Sequence, residues 1–195
     1  MPAGITWEYG GSYDDQKDTF VDMAMLLVLM VILVFVIMAS QFESLSYPFV
    51  IMFSLPFAIV GVMLGLWATG TAVGVMGLLG VLMLVGIVGN NGIVLVDYTR
   101  LLIGRKIPVI EAVVTGGRSR LRPILMTTLT TVLGMVPMAA GNGVGSEMWN
   151  SLGMVVACGL AFSTLVTLFL IPVLFTWLAL RQERKNAKKL AQLNS

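Results

Sequence analysis

Residues 44–96 read SLSYPFVIMFSLPFAIVGVMLGLWATGTAVGVMGLLGVLMLVGIVGNNGIVLV and contain no Asp, Glu, Lys, Arg or His. A helix needs roughly 20 apolar residues to cross the hydrocarbon core of a bilayer, so this stretch is long enough for two crossings. A short polar turn with an interfacial tryptophan, residues 67–71, divides it. The stretch therefore predicts two consecutive membrane-spanning helices.

Three further uncharged stretches, residues 23–39, 123–146 and 148–180, extend this pattern along the chain. Hydrophobic residues make up 57% of the 195 residues and charged residues only 11%, against about 25% charged in soluble domains. A soluble core of this size could not hide so much apolar surface. We therefore predict an all-α membrane protein with five transmembrane helices, at about 20–40, 47–68, 74–98, 122–141 and 151–179.

The uneven distribution of basic residues predicts the orientation. Eleven of the twelve Lys and Arg residues lie between the third and fourth spans or after the fifth. Loops rich in Lys and Arg stay cytoplasmic, and with five spans both segments fall on the same side. We expect the N-terminus outside the membrane and a basic cytoplasmic tail over residues 181–195.

The connection between the third and fourth spans carries helix signals. Pro108 suits the first turn of a helix, Glu111 favours its start, and Gly116-Gly117 suits its end. We therefore predict a short helix over residues 108–115 that lies at the cytoplasmic surface.

The first residues of the chain differ from the rest. Residues 1–19 are polar, and Trp7-Glu8-Tyr9 alternates as a strand does, yet such a piece has no partner strands of its own. We interpret residues 1–19 as the remnant of a larger extracytoplasmic region, followed by a transmembrane domain over residues 20–180.

The third span carries two asparagines near its middle, Asn90 and Asn91. Their amides are expensive in lipid unless they find partners, so we expect both side chains to face other helices. The nearby Gly86, Gly89 and Gly92 would permit close approach of those helices. Hydrogen bonding between helices and a functional pathway are both open explanations.

Asp97 and the threonines of the fourth span are further candidates. Asp97 lies near the cytoplasmic face and is either a proton-relay carboxylate or, as we favour, the interfacial partner of a nearby arginine. Threonines in membrane helices often bond to their own backbone, which is our default for Thr128, Thr130 and Thr131. We expect Thr127 to face the bundle interior.

Several chemistries lack a signal in this sequence. No carboxylate lies near the middle of any span, although a proton-driven pump needs a group that gains and loses a proton within the membrane. No glycine-rich loop with a lysine indicates ATP hydrolysis. We expect no enzyme activity, cofactor, metal site or nucleic-acid partner, and we interpret Cys158, the single cysteine, as a packing residue.

Five segments, in the same order along the chain, carry a resemblance to a known family: residues 41–44, 89–97, 118–127, 134–137 and 171–174. They resemble the resistance-nodulation-division (RND) superfamily, specifically its hydrophobe/amphiphile multidrug efflux branch. The resemblance implies that the five spans correspond to spans eight to twelve of twelve in a transporter of the bacterial inner membrane. Family members export drugs, detergents or other amphiphiles, coupled to an ion gradient, and usually work as trimers.

The resemblance also implies roles for single residues. The family's proton relay pairs acidic residues of the fourth span with a lysine of the tenth, assisted by an arginine and a threonine of the eleventh. Arg120 matches the arginine and Thr127 the threonine, whereas Asn90 stands at the lysine position, a departure from the family pattern. With their neighbours, the coupling-relay candidates are Asn90, Asn91, Asp97, Arg120 and Thr127.

The acidic span of the relay falls outside this chain, which leaves three hypotheses. The first is the membrane segment of an efflux transporter, a truncated piece or a natural split product, incomplete without the rest of the transporter, with the lipid bilayer and a homo-oligomer as further partners. The second is a superfamily relative in protein translocation or lipid export, which residues 118–127 argue against. The third is a non-transporting membrane scaffold or assembly module.

Overall fold

Six helices form the described part of the chain. The computed structural model describes the backbone of residues 12–141, 143 and 145–193, and the side chains of residues 14–181 apart from 142, 144 and 147. The helices are α1 (Ser12–Phe42), α2 (Ser46–Met52), α3 (Leu55–Thr69), α4 (Val75–Gly104), α5 (Val109–Ala139) and α6 (Ser146–Leu193). Five segments are long and apolar enough to cross a membrane, with α2 and α3 together forming the second, and the described residues contain no strand. The prediction of an all-α protein with five spans is confirmed.

The second span is broken between α2 and α3, a feature that the hydropathy pattern did not predict. Pro56 lacks a backbone N–H, and in a continuous helix its ring would clash with the carbonyl group of Met52. The chain places Pro56 in the first turn of a new helix, where the missing N–H costs least. The buried Ser54 bridges the break by donating its hydroxyl to the carbonyl oxygen of Ile51 at 2.6 Å.

Residues 108–115 are not a separate surface helix, which corrects that prediction. They form the first turns of α5, which runs without interruption to Ala139. Gly116 does not end the helix, and the absence of a side chain there allows a close helix contact instead. A Cβ at Gly116 would lie 2.7 Å from Oγ1 of Thr99, so this glycine lets α5 approach α4.

Both ends of the chain are more helical than the sequence predicted. α1 begins at Ser12, so the second half of the predicted extracytoplasmic remnant belongs to the first helix. The strand-like pattern at residues 7–9 lies outside the described residues. α6 continues through the predicted basic tail as far as Leu193. The domain boundaries at residues 19 and 180 therefore coincide with no change in secondary structure, and they stay predictions.

α6 packs against α3 through small residues. A Cβ at Gly61 would lie 2.5 Å from Cβ of Phe162, and one at Gly65 would overlap the side chain of Cys158. Glycines four residues apart permit this close approach of two membrane helices. Cys158 fills the space beside Gly65, and its Sγ lies 3.5 Å from Sδ of Met154, as expected for a packing residue.

Contacts at glycines also give the directions of α4, α5 and α6. Along α4, Gly77 lies beside Ser151 and Gly92 beside Ile171, so α4 and α6 are parallel. At the start of α6, Gly153 lies against the backbone of Ala139 at the end of α5, so α5 and α6 are antiparallel. Two apolar clusters fill the spaces between the helices. One includes Phe42, Ile51, Val96, Ile171 and Phe175, and the other includes Ala58, Val62, Leu84, Val88 and Leu160.

Candidate functional site

The two adjacent asparagines of α4 lie in opposite surroundings. Asn91 is 7% exposed and faces the interior of the bundle, whereas Asn90 is exposed on the outside of this chain. Neighbouring residues of a helix point in directions about 100° apart, so one of a pair can be buried while the other is not. Within this chain the expected inward orientation is found for Asn91 and not for Asn90.

The glycines around these asparagines make the predicted close approaches. A Cβ at Gly86 would lie 3.3 Å from Cε of Met30, and one at Gly89 would lie 3.4 Å from Cγ1 of Val34, both on α1. About one turn after Gly89, a Cβ at Gly92 would lie 2.5 Å from Cγ2 of Ile51 and 3.2 Å from Cδ1 of Ile171. Small residues therefore hold α4 between α1, α2 and α6 at the level of the asparagines.

Asp97 lies on the exposed side of α4, two turns after Asn90. Its predicted partner was a nearby arginine. No salt bridge joins Asp97 to any Lys or Arg side chain that the structure describes, so that pairing is not made within the described part of the chain. The described residues also contain no group of three or more His, Cys, Asp or Glu side chains that could hold a metal ion.

Arg120 reaches from α5 to α4. Its guanidinium carbon lies 4.6 Å from the ring centre of Tyr98, the residue next to Asp97. A cation over an aromatic face is stabilised by the ring's charge distribution. The Nε of Arg120 is buried and has no hydrogen-bond partner among the described residues, so this side chain keeps an unused donor at the junction of α4 and α5.

The threonines of α5 divide between two roles. Thr127 is exposed and donates to the carbonyl oxygen of Pro123 at 3.0 Å, so the inward orientation expected for it is absent from this chain. Thr130 and Thr131 also bond to their own backbone, as predicted. Thr128 departs from that default, because it is buried and its hydroxyl lies 3.1 Å from that of Thr164 on α6.

Buried hydroxyls on α6 form a polar strip that sequence reasoning missed. Ser163, Thr164 and Thr167 are 1%, 4% and 4% exposed. Thr164 bonds to Thr128, whereas Oγ of Ser163 and Oγ1 of Thr167 have no hydrogen-bond partner among the described residues. The available signal was their spacing of three and four residues, which puts them on one side of a helix.

The packing brings the candidate residues of α4 and α5 to two levels of the bundle, Asp97 with Arg120 and the asparagines with Thr127. Gly116 contacts Thr99 and Arg120 contacts Tyr98, so α5 runs antiparallel to α4. About two turns from this contact, towards the start of α4 and towards the end of α5, Asn91 and Thr127 lie at a common height. Asn90, Asp97 and Thr127 thus all lie exposed on the outside of this chain, while Asn91 and Thr128 lie inside.

Arg100 forms a second polar contact that the sequence did not reveal. Its Nη1 donates to the carbonyl oxygen of Phe42, the last residue of α1, at 2.9 Å. Its guanidinium carbon also lies 4.8 Å from the ring centre of Tyr47, and that ring stacks on Phe175 at 5.4 Å. The carbonyl groups at a helix end lack partners within the helix. Arg100 therefore ties the end of α1 to α2, α4 and α6.

Comparisons with known proteins identify the family. A model of the AcrB/AcrD/AcrF family matches residues 1–179. The chain is 34% identical over 185 residues to the swarming motility protein SwrC of Bacillus subtilis, which covers 94% of this chain and 18% of SwrC. It is 33% identical over 175 residues to the cobalt-zinc-cadmium resistance protein CzcA of Cupriavidus metallidurans, covering 90% of this chain and 16% of that protein. It is 34% identical over 176 residues to the multidrug export protein AcrF of Escherichia coli, covering 90% of this chain and 17% of AcrF.

A solved structure agrees with these matches. The crystal structure of a heavy metal efflux pump aligns with a TM-score of 0.76 at 29% identity, covering 88% of this chain and 18% of the pump. The chain spans between 16% and 18% of the length of these relatives. The match of the family model over nearly the whole chain, together with the five membrane spans, shows that the chain belongs to the AcrB/AcrD/AcrF family of RND transporters.

Proposed function

We propose that this chain is the membrane segment of an ion-gradient-driven efflux transporter, corresponding to spans eight to twelve, and that it exports drugs or other amphiphiles only with the rest of that transporter. Asn90 and Thr127 are both exposed, but the hydroxyl of Thr127 already bonds to the carbonyl oxygen of Pro123. The observation that carries the proposal is therefore the exposed Asn90, whose side chain has no hydrogen bond among the described residues. A polar group at membrane depth needs a partner that lipid does not supply. The rest of the transporter would supply it.

The amphiphile branch is favoured over metal export by sequence resemblance. Relatives of this chain include both the multidrug export protein AcrF and the cobalt-zinc-cadmium resistance protein CzcA. Residues 118–127, at the centre of α5, resemble the multidrug type. Comparing export of a fluorescent amphiphile with export of Zn²⁺ by the complete transporter distinguishes the two branches.

Ion coupling would arise where this chain meets the missing helices. Asn90 and Thr127 cannot gain and lose a proton near neutral pH, and Asp97 lies on the same exposed side of α4. We propose that Asn90 and Thr127 orient acidic groups of the missing half, with Arg120 as the nearby positive charge. An asparagine at the lysine position leaves one cation fewer in the relay, which makes a coupling ion other than the proton a second candidate.

The proposed orientation has the N-terminus outside and the C-terminus in the cytoplasm of a bacterial inner membrane. Eleven of twelve basic residues fall on the cytoplasmic side in this arrangement. A reporter enzyme attached to each terminus in turn tests the arrangement. We expect opposite locations for the two ends, and finding both on one side of the membrane would overturn it.

Transport by purified chain in liposomes tests the central proposal. With an imposed pH gradient and a fluorescent amphiphile, we expect no accumulation by this chain alone and normal accumulation by a complete transporter that contains it. Gradient-dependent accumulation that is lost in Asp97→Asn would make Asp97 the relay group and would contradict the proposal. Accumulation that survives Asp97→Asn would also contradict it, because the chain would then pump without a missing partner.

The alternative hypothesis is a non-transporting scaffold that only assembles with other membrane proteins. The same exposed polar groups would then serve assembly alone. Supplying the missing helices as a separate chain separates the two hypotheses. Recovery of transport supports the efflux segment, whereas a stable complex that does not transport supports the scaffold.

A further inference from the structure

Two shallow apolar grooves, wide open to the surroundings, run along the outer side of the second half of α6. The first has a volume of about 590 Å³ and is lined by Leu165, Val166, Phe169, Leu170 and Val173. The second has a volume of about 480 Å³ and is lined by Val113, Pro172, Val173, Thr176, Trp177 and Leu180. Because Val173 lines both, they form one continuous surface, which we call the α6 groove.

The wall of the α6 groove is apolar except for the side chains of Thr176 and Trp177. Thr176 is the only residue in it with a polar side chain other than Trp177, and its hydroxyl donates to the carbonyl oxygen of Pro172 at 2.7 Å. Phe169, Val173 and Trp177 are 76%, 67% and 54% exposed. Residues 165–180 of a helix span about 22 Å, which exceeds the roughly 15 Å depth of one leaflet of the hydrocarbon core. The groove is therefore long enough for the buried part of an acyl chain.

A positive charge lies at one end of the α6 groove. The guanidinium carbon of Arg181 lies 4.1 Å from the ring centre of Trp177, and the arginine is exposed. Tryptophan is enriched at the level of lipid headgroups, where its ring meets both apolar and polar surroundings. Beyond Arg181 the sequence adds four basic residues and one acidic residue: Arg184, Lys185, Lys188, Lys189 and Glu183. Such clusters attract anionic lipids.

We propose that the α6 groove binds an anionic phospholipid, with one acyl chain against residues 165–180 and the headgroup phosphate on the guanidinium group of Arg181. The groove matches such a lipid in sequence from one end to the other. Its apolar wall suits the acyl chain, and the tryptophan and arginine at its end suit the negatively charged headgroup. A further transmembrane helix would cover the apolar wall but would leave Arg181 without a negative partner. The site does not depend on the proposed transport function. Its location in the cytoplasmic leaflet rests on the proposed orientation.

Fluorescence quenching at Trp177 tests the proposal. The chain carries Trp7, Trp67, Trp149 and Trp177. A variant with Phe at the first three positions is placed in nanodiscs that contain phosphatidylcholine and a small fraction of brominated lipid. We expect brominated phosphatidylglycerol to be enriched at Trp177 over brominated phosphatidylcholine by on the order of fivefold, the effect of one basic residue at an anionic surface. Arg181→Gln should lower the preference markedly and leave only the general attraction of the basic residues that follow it.

Two controls make the result decisive. Arg105→Gln removes another exposed arginine, at the turn after α4, and should leave the preference intact. A variant that retains only Trp67, which is 84% exposed, reports ordinary lipid contact at α3. Equal quenching of Trp177 by the two lipids would overturn the proposal, as would an equal loss of preference in Arg181→Gln and Arg105→Gln. Quenching of Trp67 without quenching of Trp177 would also overturn it, because protein rather than lipid would then cover the groove.

Discussion

Polar side chains have different partners in the interior of the bundle and on the outward side of α4 and α5. Both regions take their polar side chains from the same two pairs of adjacent residues, Asn90-Asn91 and Thr127-Thr128. Inside, Thr128 bonds to Thr164 and Asn91 is buried. Outside, the adjacent Thr127 bonds only to its own backbone, and the adjacent Asn90 is exposed. Each pair therefore gives one residue to the packing of this chain and one residue to a surface that this chain does not cover. The interior is packed by this chain, although the hydroxyls of Ser163 and Thr167 have no hydrogen-bond partner among the described residues, whereas the outward surface is left uncovered.

The largest effect on this comparison should come from filling a glycine of the interior. A Cβ at Gly153 would lie 2.8 Å from the backbone nitrogen of Ala139, which cannot move aside as a flexible side chain could. We expect Gly153→Ala to lower the free energy of unfolding by roughly 1–3 kcal/mol, the usual cost of overpacking. Unfolding in detergent micelles, followed by circular dichroism, measures this loss.

Gly134 in α5 is the matched control, since a Cβ there would meet nothing within 4 Å. Gly134→Ala should be neutral or should stabilise the helix by up to about 1 kcal/mol, because alanine is the better helix former. Equal destabilisation by the two substitutions would show that glycine is needed for helix flexibility rather than for packing.

A smaller effect is expected at Arg100, which holds α1 to the rest of the bundle. Without the guanidinium group, the carbonyl oxygen of Phe42 loses a hydrogen bond. The contacts of that group with the rings of Phe42 and Tyr47 are lost as well. We expect Arg100→Gln to lower the free energy of unfolding by on the order of 1–2 kcal/mol. Spin labels at the exposed Val36 of α1 and Met83 of α4 should also report a broader distribution of distances.

Arg100→Lys sharpens this prediction, because lysine keeps the positive charge and loses the planar group that stacks on the rings. The free energy of unfolding of Arg100→Lys should lie between those of the wild type and Arg100→Gln. The control is Arg105→Gln, at an exposed arginine near the end of the same helix, which should leave the distances unchanged. Unchanged distances in Arg100→Gln would show that α1 is held by its apolar contacts with Gly86 and Gly89 alone.

The smallest effect should distinguish the two adjacent threonines. Thr128→Val removes the bond to Thr164 and keeps the shape of the side chain. We expect a loss of about 0.6 kcal/mol, the average for hydrogen bonds between membrane helices. The loss is limited because Thr164 can turn to a carbonyl of its own helix.

Thr127→Val should leave the stability of this chain unchanged, since the exposed hydroxyl of Thr127 bonds only to the carbonyl oxygen of Pro123 on the same helix. In a complete transporter, where the measured property is transport, we expect Thr127 to matter more than Thr128. Thr127→Val should then reduce transport more than Thr128→Val does, measured as dye accumulation in liposomes. A greater loss of transport in Thr128→Val would move the functional threonine to the interior.

The sequence predicted the number of spans because charge-free stretches of membrane length leave few alternatives. It did not predict the break before α3, since a proline within a membrane span can either kink a helix or end it. The hydrogen bond from Ser54 to Ile51 accompanies the break and could not be read from the hydropathy pattern. Gly116-Gly117 was interpreted as a helix end because glycine serves both as a cap and as a contact point. The contact with Thr99 makes it the latter.

The candidate site was predictable by residue type and not by direction. Asparagines and threonines at membrane depth predict hydrogen-bond partners, but the side of the helix on which those partners lie depends on tertiary packing. Residue 90 points away from α6 and residue 91 towards the interior because Gly92 is pressed against Ile51 and Ile171. The buried hydroxyls of Ser163 and Thr167 escaped notice because isolated small polar residues are common in apolar spans.

The central claim is that the rest of the transporter covers the exposed side chains of Asn90 and Thr127. Nitroxide labels at residues 90, 91, 127 and 128, each introduced in a Cys158→Ala background, test it through their accessibility to molecular oxygen, which dissolves in lipid. In this chain alone we predict high accessibility at residues 90 and 127 and low accessibility at 91 and 128. When the remaining helices are supplied as a separate chain and transport is restored, residues 90 and 127 should become as protected as 91 and 128. Persistent high accessibility at residues 90 and 127 in that transport-competent complex would contradict the account.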